Sequence, residues 1–314
     1  MPSIKTAVVI LNWNGEGFLK QFLPSVIQHS NDANIIVADN ASTDNSISYL
    51  NSLVNAVKII QLDKNYGFTG GYNKALKQID AEYFVLLNSD VQVTAGWIQP
   101  IIDLMDSNKA IGICQPKIKA FHQATHFEYA GASGGFIDWM GYPFCRGRLF
   151  NDLELDSGQY NDTIEVFWAT GACMFIRSDL YNKLGGLDEN FFAHMEEIDL
   201  CWRAHLLGQK VMVVPKAEVF HVGGGTLPKN NPRKTFYNFR NNLMMLYKNL
   251  PASKLISVIF MRLLLDGVAG IKFMLQGDFN DTLAVIKAHF AFYGSLLKGN
   301  LKRSQHTANS PATI

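Results

Sequence analysis

The stretch AEYFVLLNSDVQV, residues 81–93, decides the architecture of this chain. Tyr83 to Leu87 is an unbroken apolar run, the pattern of a strand covered on both faces. It stops at Asn88-Ser89-Asp90 before apolar residues resume. A turn accounts for Asn, Ser and Asp as well as a ligand site does. The surrounding sequence must separate the two.

Three runs of the same kind precede it: TAVVILNW (6–13), NIIVADN (34–40) and VKIIQLD (57–63). Each ends in polar residues. Between them the apolar residues fall at helical spacing: Phe18, Leu19, Phe22, Leu23 and Val26, then Ile47, Leu50 and Leu53, then Tyr72, Ala75, Leu76 and Ile79. Strand, helix, strand, helix predicts an α/β fold, a mostly parallel central sheet flanked by helices. Ligands of such sheets sit beyond the carboxyl ends of the strands. Polar side chains collect there: Asn12 and Asn14, Asp39 and Asn40, Asp63 and Asn65, Asn88 and Asp90. Four such ends predict a site.

Bulk properties set limits. A chain of 314 residues with 48% hydrophobic and 18% charged residues can bury a full core. The net charge of +1 gives no basic field for nucleic acid. Cys114, Cys145, Cys173 and Cys201 are widely spaced, as in a cytoplasmic protein with reduced thiols. The opening MPSIKTAVVILNWNGEGF reads as a first strand and not as a signal peptide. The most apolar later segment, LISVIFMRLLLDGVAGIKFMLQG, is interrupted by Arg262, Asp266 and Lys272. No stretch reaches the roughly 20 apolar residues of a membrane span. Residues 116–168 are irregular and rich in Gly and aromatics, as in a long loop with short strands. From IEVFWATGACMFIR onward the order strand, short helix, turn, helix, strand returns. Residues 234–249 and 253–298 have helical spacing, and the last dozen read as a disordered tail.

Several motifs carry chemistry. NYGFTGGYN (65–73) joins a strand to a helix through glycines that let backbone approach a ligand, and the helix start offers N–H groups to an anion. It is not a P-loop, and NGEGF (14–18) lacks the third glycine of a dinucleotide fingerprint. Asp90 is a candidate carboxylate for a hard divalent cation, and His221 a candidate nitrogen ligand. In HMEEIDLCWRAHLLG (194–208) the dipole favours acids at the helix start, and Asp199 with Arg203 forms an i,i+4 pair. Glu196 and Glu197 point about 100° apart around the helix, leaving one free to act as a base.

In order along the chain, VVILNWNG, VADNASTDNS, NYGFTGGYN, LLNSDV, ATGACMFIR, GGLDENFFAHMEEIDLCWRAHLLG and FHVGGGT resemble the family 2 glycosyltransferases. These are inverting enzymes of the GT-A fold, and the likeness is to their rhamnosyltransferase-like branch, over roughly residues 5–250. The resemblance implies metal-dependent transfer of a sugar, from dTDP-rhamnose or a UDP-sugar, to a hydroxyl of a glycan or lipid-linked glycan in cell-surface polysaccharide synthesis. It implies that Asp39 holds the base or ribose, and that Asn65, Gly67 and Asn73 flank the nucleotide. Asp90 takes the last place of the D-x-D-like motif, with Mg²⁺ or Mn²⁺ as cofactor and His221 as a second ligand. Asn88 stands where many members carry an aspartate. Glu197 is the implied base, with Glu196 beside it. The strand-end residues Asn12, Asn14, Asn88 and Ser89 are expected beside the nucleotide, and Gly171, Asp199 and Trp202 on the sugar or acceptor side. Lys229, Arg233, Lys234 and Arg240 read chiefly as a solvated basic face.

The expected domains are a catalytic unit at 1–230, a helical extension at 231–300 and the tail at 301–314. The apolar, lysine-bearing extension suits a membrane surface or a homodimer, with peripheral attachment to the cytoplasmic face of the inner membrane preferred. Two rivals share the nucleotide-binding core. A sugar-nucleotide nucleotidyltransferase would carry Arg or Lys in the loop after the first strand, where LNWNGEGF has neither. A non-catalytic glycan-binding protein would have no need of Asp90 and Glu197.

Overall fold

The computed structural model describes residues 4–53, 55–150, 152–223 and 231–304. The first half alternates as its apolar runs predict: β1 (Ile4–Asn12), α1 (Glu16–His29), β2 (Asn34–Asp39), α2 (Ser46–Ser52), β3 (Lys58–Gln61), α3 (Gly67–Leu76) and β4 (Ala81–Asn88). After the polar triplet come β5 (Val91–Val93), α4 (Gln99–Ser107) and β6 (Ile111–Ala120). The irregular stretch resolves into two small hairpins, β7 (Gly135–Ile137) with β8 (Pro143–Cys145) and β9 (Arg148–Leu149) with β10 (Asp152–Leu153). The chain continues with β11 (Ile164–Val166), β12 (Cys173–Arg177), α5 (Ser178–Lys183), α6 (Glu196–Leu206) and β13 (Lys210–His221). Three helices follow: α7 (Pro232–Asn249), α8 (Ala252–Leu275) and α9 (Phe279–Leu297).

The main sheet runs β11-β13-β6-β12-β4-β1-β2-β3, with β5 paired to β13. β3, β2, β1 and β4 are mutually parallel, and β12 is antiparallel to both β4 and β6. Consecutive residues of the inner strands alternate between two cores. Val8, Ile10, Val85 and Leu87 pack with Leu19, Leu23 and Val26 of α1. Val9, Phe84 and Leu86 face the side of Tyr72, Ile198 and Trp202. This double cover explains the unbroken apolar runs. Register aligns the strand ends: Asn12 lies opposite Asp39, and Leu11 opposite Asn88. Gly71 lets α3 press onto β1, since a Cβ there would sit 2.8 Å from the Leu11 methyls. That glycine serves packing, whereas the sequence alone leaves ligand approach as its purpose.

The helical region begins by clasping α6. Asp199 is fully buried. Its Oδ2 accepts from Arg203 Nε at 2.8 Å and Lys248 Nζ at 3.0 Å, and its Oδ1 from Asn249 Nδ2 at 2.8 Å. Burial raises the proton affinity of this carboxylate, but the Arg203 and Lys248 charges outweigh it and hold its pKa below the usual value. The expectation that Asp199 meets a sugar is corrected: every oxygen ties α6 to α7 or to its own helix. Removing one partner from such a cluster strands buried charge. Asp199→Asn is expected to lower unfolding stability by about 3–5 kcal/mol. A urea midpoint that stays at the wild-type value would contradict this.

Candidate active site

The ends of β1 and β2 form one hydrogen-bonded edge. Asn12 Nδ2 donates to Asp39 Oδ1 at 3.0 Å, and Asp39 also accepts from Ser42 N at 2.9 Å and Ser42 Oγ at 2.6 Å. Asn14, with φ 50, accepts from Thr43 N at 2.7 Å and donates from its own N to Ser42 Oγ at 2.9 Å. Asp39 is 2% exposed, so its carboxylate shapes this loop and does not stand open at the strand end. Asn12 Oδ1 is buried without a partner, and Ser89 Oγ borders the same spot, 3.8 Å from where a Cβ on Gly15 would lie. Between the two asparagines Trp13 is 55% exposed. Sequence reading left Trp13 within the first strand-like run without a role. Its signal was an indole between two polar residues at a strand end, the place for a ring that stacks on a planar ligand.

The next strand end is organised by Asn40, a residue the sequence grouped with Asp39 without giving it a role. Asn40 Nδ2 donates to Asn65 Oδ1 and to Gly67 O, both at 3.0 Å, and its Oδ1 accepts from Tyr66 N at 2.9 Å. Asn65 Oδ1 also accepts from Gly67 N at 2.8 Å. Gly67 takes φ +70, with the Phe192 ring 3.3 Å from where a Cβ would be. Asn73 does not join this edge. It donates to Leu187 O at 2.8 Å and Glu189 Oε1 at 3.1 Å, and accepts from Tyr181 OH at 2.6 Å and Leu187 N at 3.0 Å. The expectation that Asn73 flanks a nucleotide is corrected, because all its polar capacity pins the 185–189 loop.

Asp90 and His221 meet. The end of β13 pairs antiparallel with β5, His221 opposite Val91, and Val222 N donates to Asp90 O at 3.1 Å. His221 Nε2 lies 3.2 Å from Asp90 Oδ1, and its buried Nδ1 faces Glu128 Oε1 at 3.6 Å. Burial opposes charge on the imidazole, but Asp90 and Glu128 outweigh it and lift its pKa to about 10, so a cation taken up between Nε2 and Asp90 would have to displace the Nε2 proton. A spacing near 3 Å is that of adjacent donors on one octahedral Mg²⁺ or Mn²⁺, whose bonds are about 2.1 Å. A carboxylate behind the second ring nitrogen is the support a metal-binding histidine needs. Sequence reading missed Glu128, which lies in the irregular stretch and shares no spacing with either partner. Among the described residues no group of three or more His, Cys, Asp or Glu is arranged to hold an ion.

α6 brings the acids. Its entry residues Phe192, His194 and Met195 have φ 67, 69 and 71, a left-handed region side chains avoid. Asn241 on α7 holds them, donating to Phe191 O at 2.9 Å and to Ala193 O and His194 O at 2.8 Å. Arg240, read as part of a basic face, donates instead to Asn190 O and Phe191 O, both at 3.0 Å. Lys229 lies outside the described residues. Glu196 is buried and Glu197 partly exposed, and Oε2 of each is buried without a partner. Burial raises both carboxyls, with the Glu197 charge adding to the effect on Glu196, and pushes Glu197 up to about 7. His194 is driven down to about 4 by burial and then by the Lys234 charge, so its imidazole is neutral beside the acids, its Nε2 unpartnered.

The two halves of the edge are joined by residues 170–172. Asn88 N donates to Ala172 O at 2.9 Å, and a Cβ on Gly171 would lie 3.9 Å from Glu197 Cβ. Gly171 therefore lies between the end of β4 and the acids. Trp202 is 1% exposed and packs edge-on against Phe167 at 5.3 Å, which corrects its expected place on the sugar side.

Comparison with known proteins now bears on this site. The family model described as "Glycosyl transferase family 2" matches residues 7–185. The N-acetylglucosaminyl-diphospho-decaprenol L-rhamnosyltransferase of Mycobacterium tuberculosis is 24% identical over 230 residues, covering 68% of this chain and 75% of the relative. Residues 1–349 of S. aureus TarS, solved with UDP-GlcNAc, superpose with a TM-score of 0.62 at 16% identity, over 92% of this chain and 80% of that one. GalNAc-T7, solved with UDP, GalNAc and Mn²⁺, gives a TM-score of 0.60 at 15% identity over 78% of this chain; the match spans about half of that longer chain, 48%. At these identities the structures share the fold.

The Asn241 clasp makes a direct prediction. Asn241→Ala takes a donor from the part-buried carbonyls of Ala193 and His194, while Phe191 O keeps Arg240, a loss of about 1–3 kcal/mol. Amide exchange in residues 190–195 is expected to speed up while exchange in β1 and β4 stays slow. Uniform protection in both would show that the loop holds itself.

Proposed function

The chain belongs to glycosyl transferase family 2 and has its GT-A fold, and on that premise we propose an inverting, metal-assisted sugar transfer from a nucleotide-diphospho donor to a hydroxyl group. The observation that carries the reading is one sheet edge holding the Asp90–His221 pair, 3.2 Å apart, and joined through residues 170–172 to the acid pair of α6. A charge-accepting end and a proton-accepting end are what displacement of a diphosphate by a hydroxyl requires.

In this reading Trp13 stacks on the base, and the fully buried Asn12 fixes the strand end behind it through Asp39 and Ser42. Asn14, Asp39, Asn65 and Gly67 hold the loops that border the nucleotide, with Asn88 and Ser89 at the diphosphate end. Glu197, with a proton affinity raised by its enclosure, takes the proton of the acceptor hydroxyl as that oxygen bonds to the anomeric carbon. The bond from carbon to the donor phosphate breaks on the opposite face, its electron pair leaving with the nucleoside diphosphate, and the configuration inverts. Glu196, more deeply buried, keeps its proton and prevents two adjacent negative charges. Asp90 and His221 would hold Mg²⁺ or Mn²⁺, with Glu128 orienting the histidine. Bound there, the ion neutralises charge on the departing diphosphate. The ligands bound in TarS and GalNAc-T7 support a uridine nucleotide donor, and the rhamnosyltransferase relative supports a deoxysugar donor and a lipid-linked glycan acceptor in cell-surface polysaccharide synthesis.

Two outcomes test the reading. Glu197→Gln is expected to cut transfer by about 10²–10⁴-fold, the size of a general-base contribution, while nucleotide-sugar binding by calorimetry persists. Undiminished transfer would move the base elsewhere. The base works only when deprotonated, so the rate is expected to drop about tenfold per pH unit below an apparent pKa near 7. A flat profile down to the usual carboxylate range would show that no enclosed carboxylate takes the proton.

A further inference from the structure

α8 and α9 are built inside out. Their inner faces carry an ion cluster: Arg262 Nε and Nη2 reach Asp266 Oδ1 at 3.2 and 3.1 Å, and His289 Nε2 lies 3.0 Å from Asp266 Oδ2. Tyr142 and Asn242 complete this polar cluster. The outer face of α8 instead carries Phe260, Leu264, Val268, Ile271 and Leu275, all exposed, Val268 at 62%. α9 presents Leu283, Ile286 and Phe290, the last 74% exposed. At about 100° per residue, the α8 residues together with the exposed Ile256, Met261, Leu263 and Met274 span roughly 160°, and the α9 residues roughly 60°. An apolar surface of this extent marks an interaction face.

The flanks say what covers it. The exposed charged side chains within the two helices are lysines, Lys254 and Lys272 on α8 and Lys287 on α9; the caps of α9 add Lys298 and one acid, Asp278. The lysines lie roughly 20–60° past one edge of each apolar arc, whereas Asp278 lies roughly 80° past the other edge of the α9 arc. A two-fold contact between copies presents the same patch on both sides, which sets lysine-flanked stripe against lysine-flanked stripe. Anionic headgroups complement such flanks, and the (CH₂)₄ stems let the ammonium groups rise to phosphate level. No helix among the described residues is long and apolar enough to cross a membrane. We infer that α8 and α9 lie along an anionic lipid surface, the apolar arcs at the acyl boundary and the four lysines among the phosphates. The inference stands apart from the transfer reaction, since seating on lipid needs neither donor nor acceptor.

Flotation of the full chain with vesicles tests it. The protein is expected to float with phosphatidylcholine vesicles containing phosphatidylglycerol, more weakly with phosphatidylcholine alone, and less as salt rises. A Leu264→Gln, Val268→Gln, Phe290→Gln variant, with an unchanged melting temperature, is expected to partition at least about tenfold less to both. Lys254→Gln with Lys272→Gln is expected to lose about fivefold per lysine on the anionic vesicles only. A chain that stays unbound to every vesicle overturns the inference. So does a concentration-dependent dimer that the glutamine variant splits, with no flotation of either form: the face then belongs to a second copy.

Discussion

A strand covered on both faces can carry charge only at its ends, and the candidate site of this protein follows from that constraint. β4 lies between β1 and β12 with apolar cores above and below, so its carboxylate appears only after Asn88. Parallel register then sets the polar ends of β1, β2 and β4 on one edge. The long β13 completes it. Its last residues pair with β5 immediately after the triplet, and backbone hydrogen bonding sets His221 against Asp90. No side-chain preference is needed to bring the two together.

The acids arrive under a different constraint. Carboxylates at a helix start are favoured by the dipole, yet here they are enclosed, and enclosure favours the protonated form. Holding them requires a left-handed entry loop, with local strain that its surroundings must offset. α7 does so twice, through Asn241 on the loop backbone and through Lys248 and Asn249 on Asp199. The helical region after residue 230 is therefore part of the frame that orients Glu196 and Glu197. Its first helix serves the site, while its other two turn apolar faces outward.

That outward face shows why composition alone misleads. Arg262 and Asp266 interrupt the most apolar segment and read there as breaks in a hydrophobic run. In the structure they are its interior, a satisfied ion pair with His289, and the apolar residues between them form the surface. Periodicity places the two sets on opposite faces of a helix. Which face packs inward depends on partners from α7, α9 and residue 142.

By itself the sequence determined the strand and helix alternation, the edge carrying Asn12, Asp39 and Asp90, and the acidic helix start. Each rests on local spacing and on the rule that buried strands are continuously apolar. Tertiary structure alone decided which polar residues are open and which serve the protein. Asn73, Asp199 and Trp202 look like ligands in sequence, but the first two have all their hydrogen-bonding capacity taken up and the third is packed away. Glu128 and Asn241 carried no motif, Trp13 had no role within VVILNWNG, and all three stand at the site. The reason is physical: spacing along a chain fixes which face a side chain leaves from, whereas its availability depends on donors and walls supplied by residues tens of positions away.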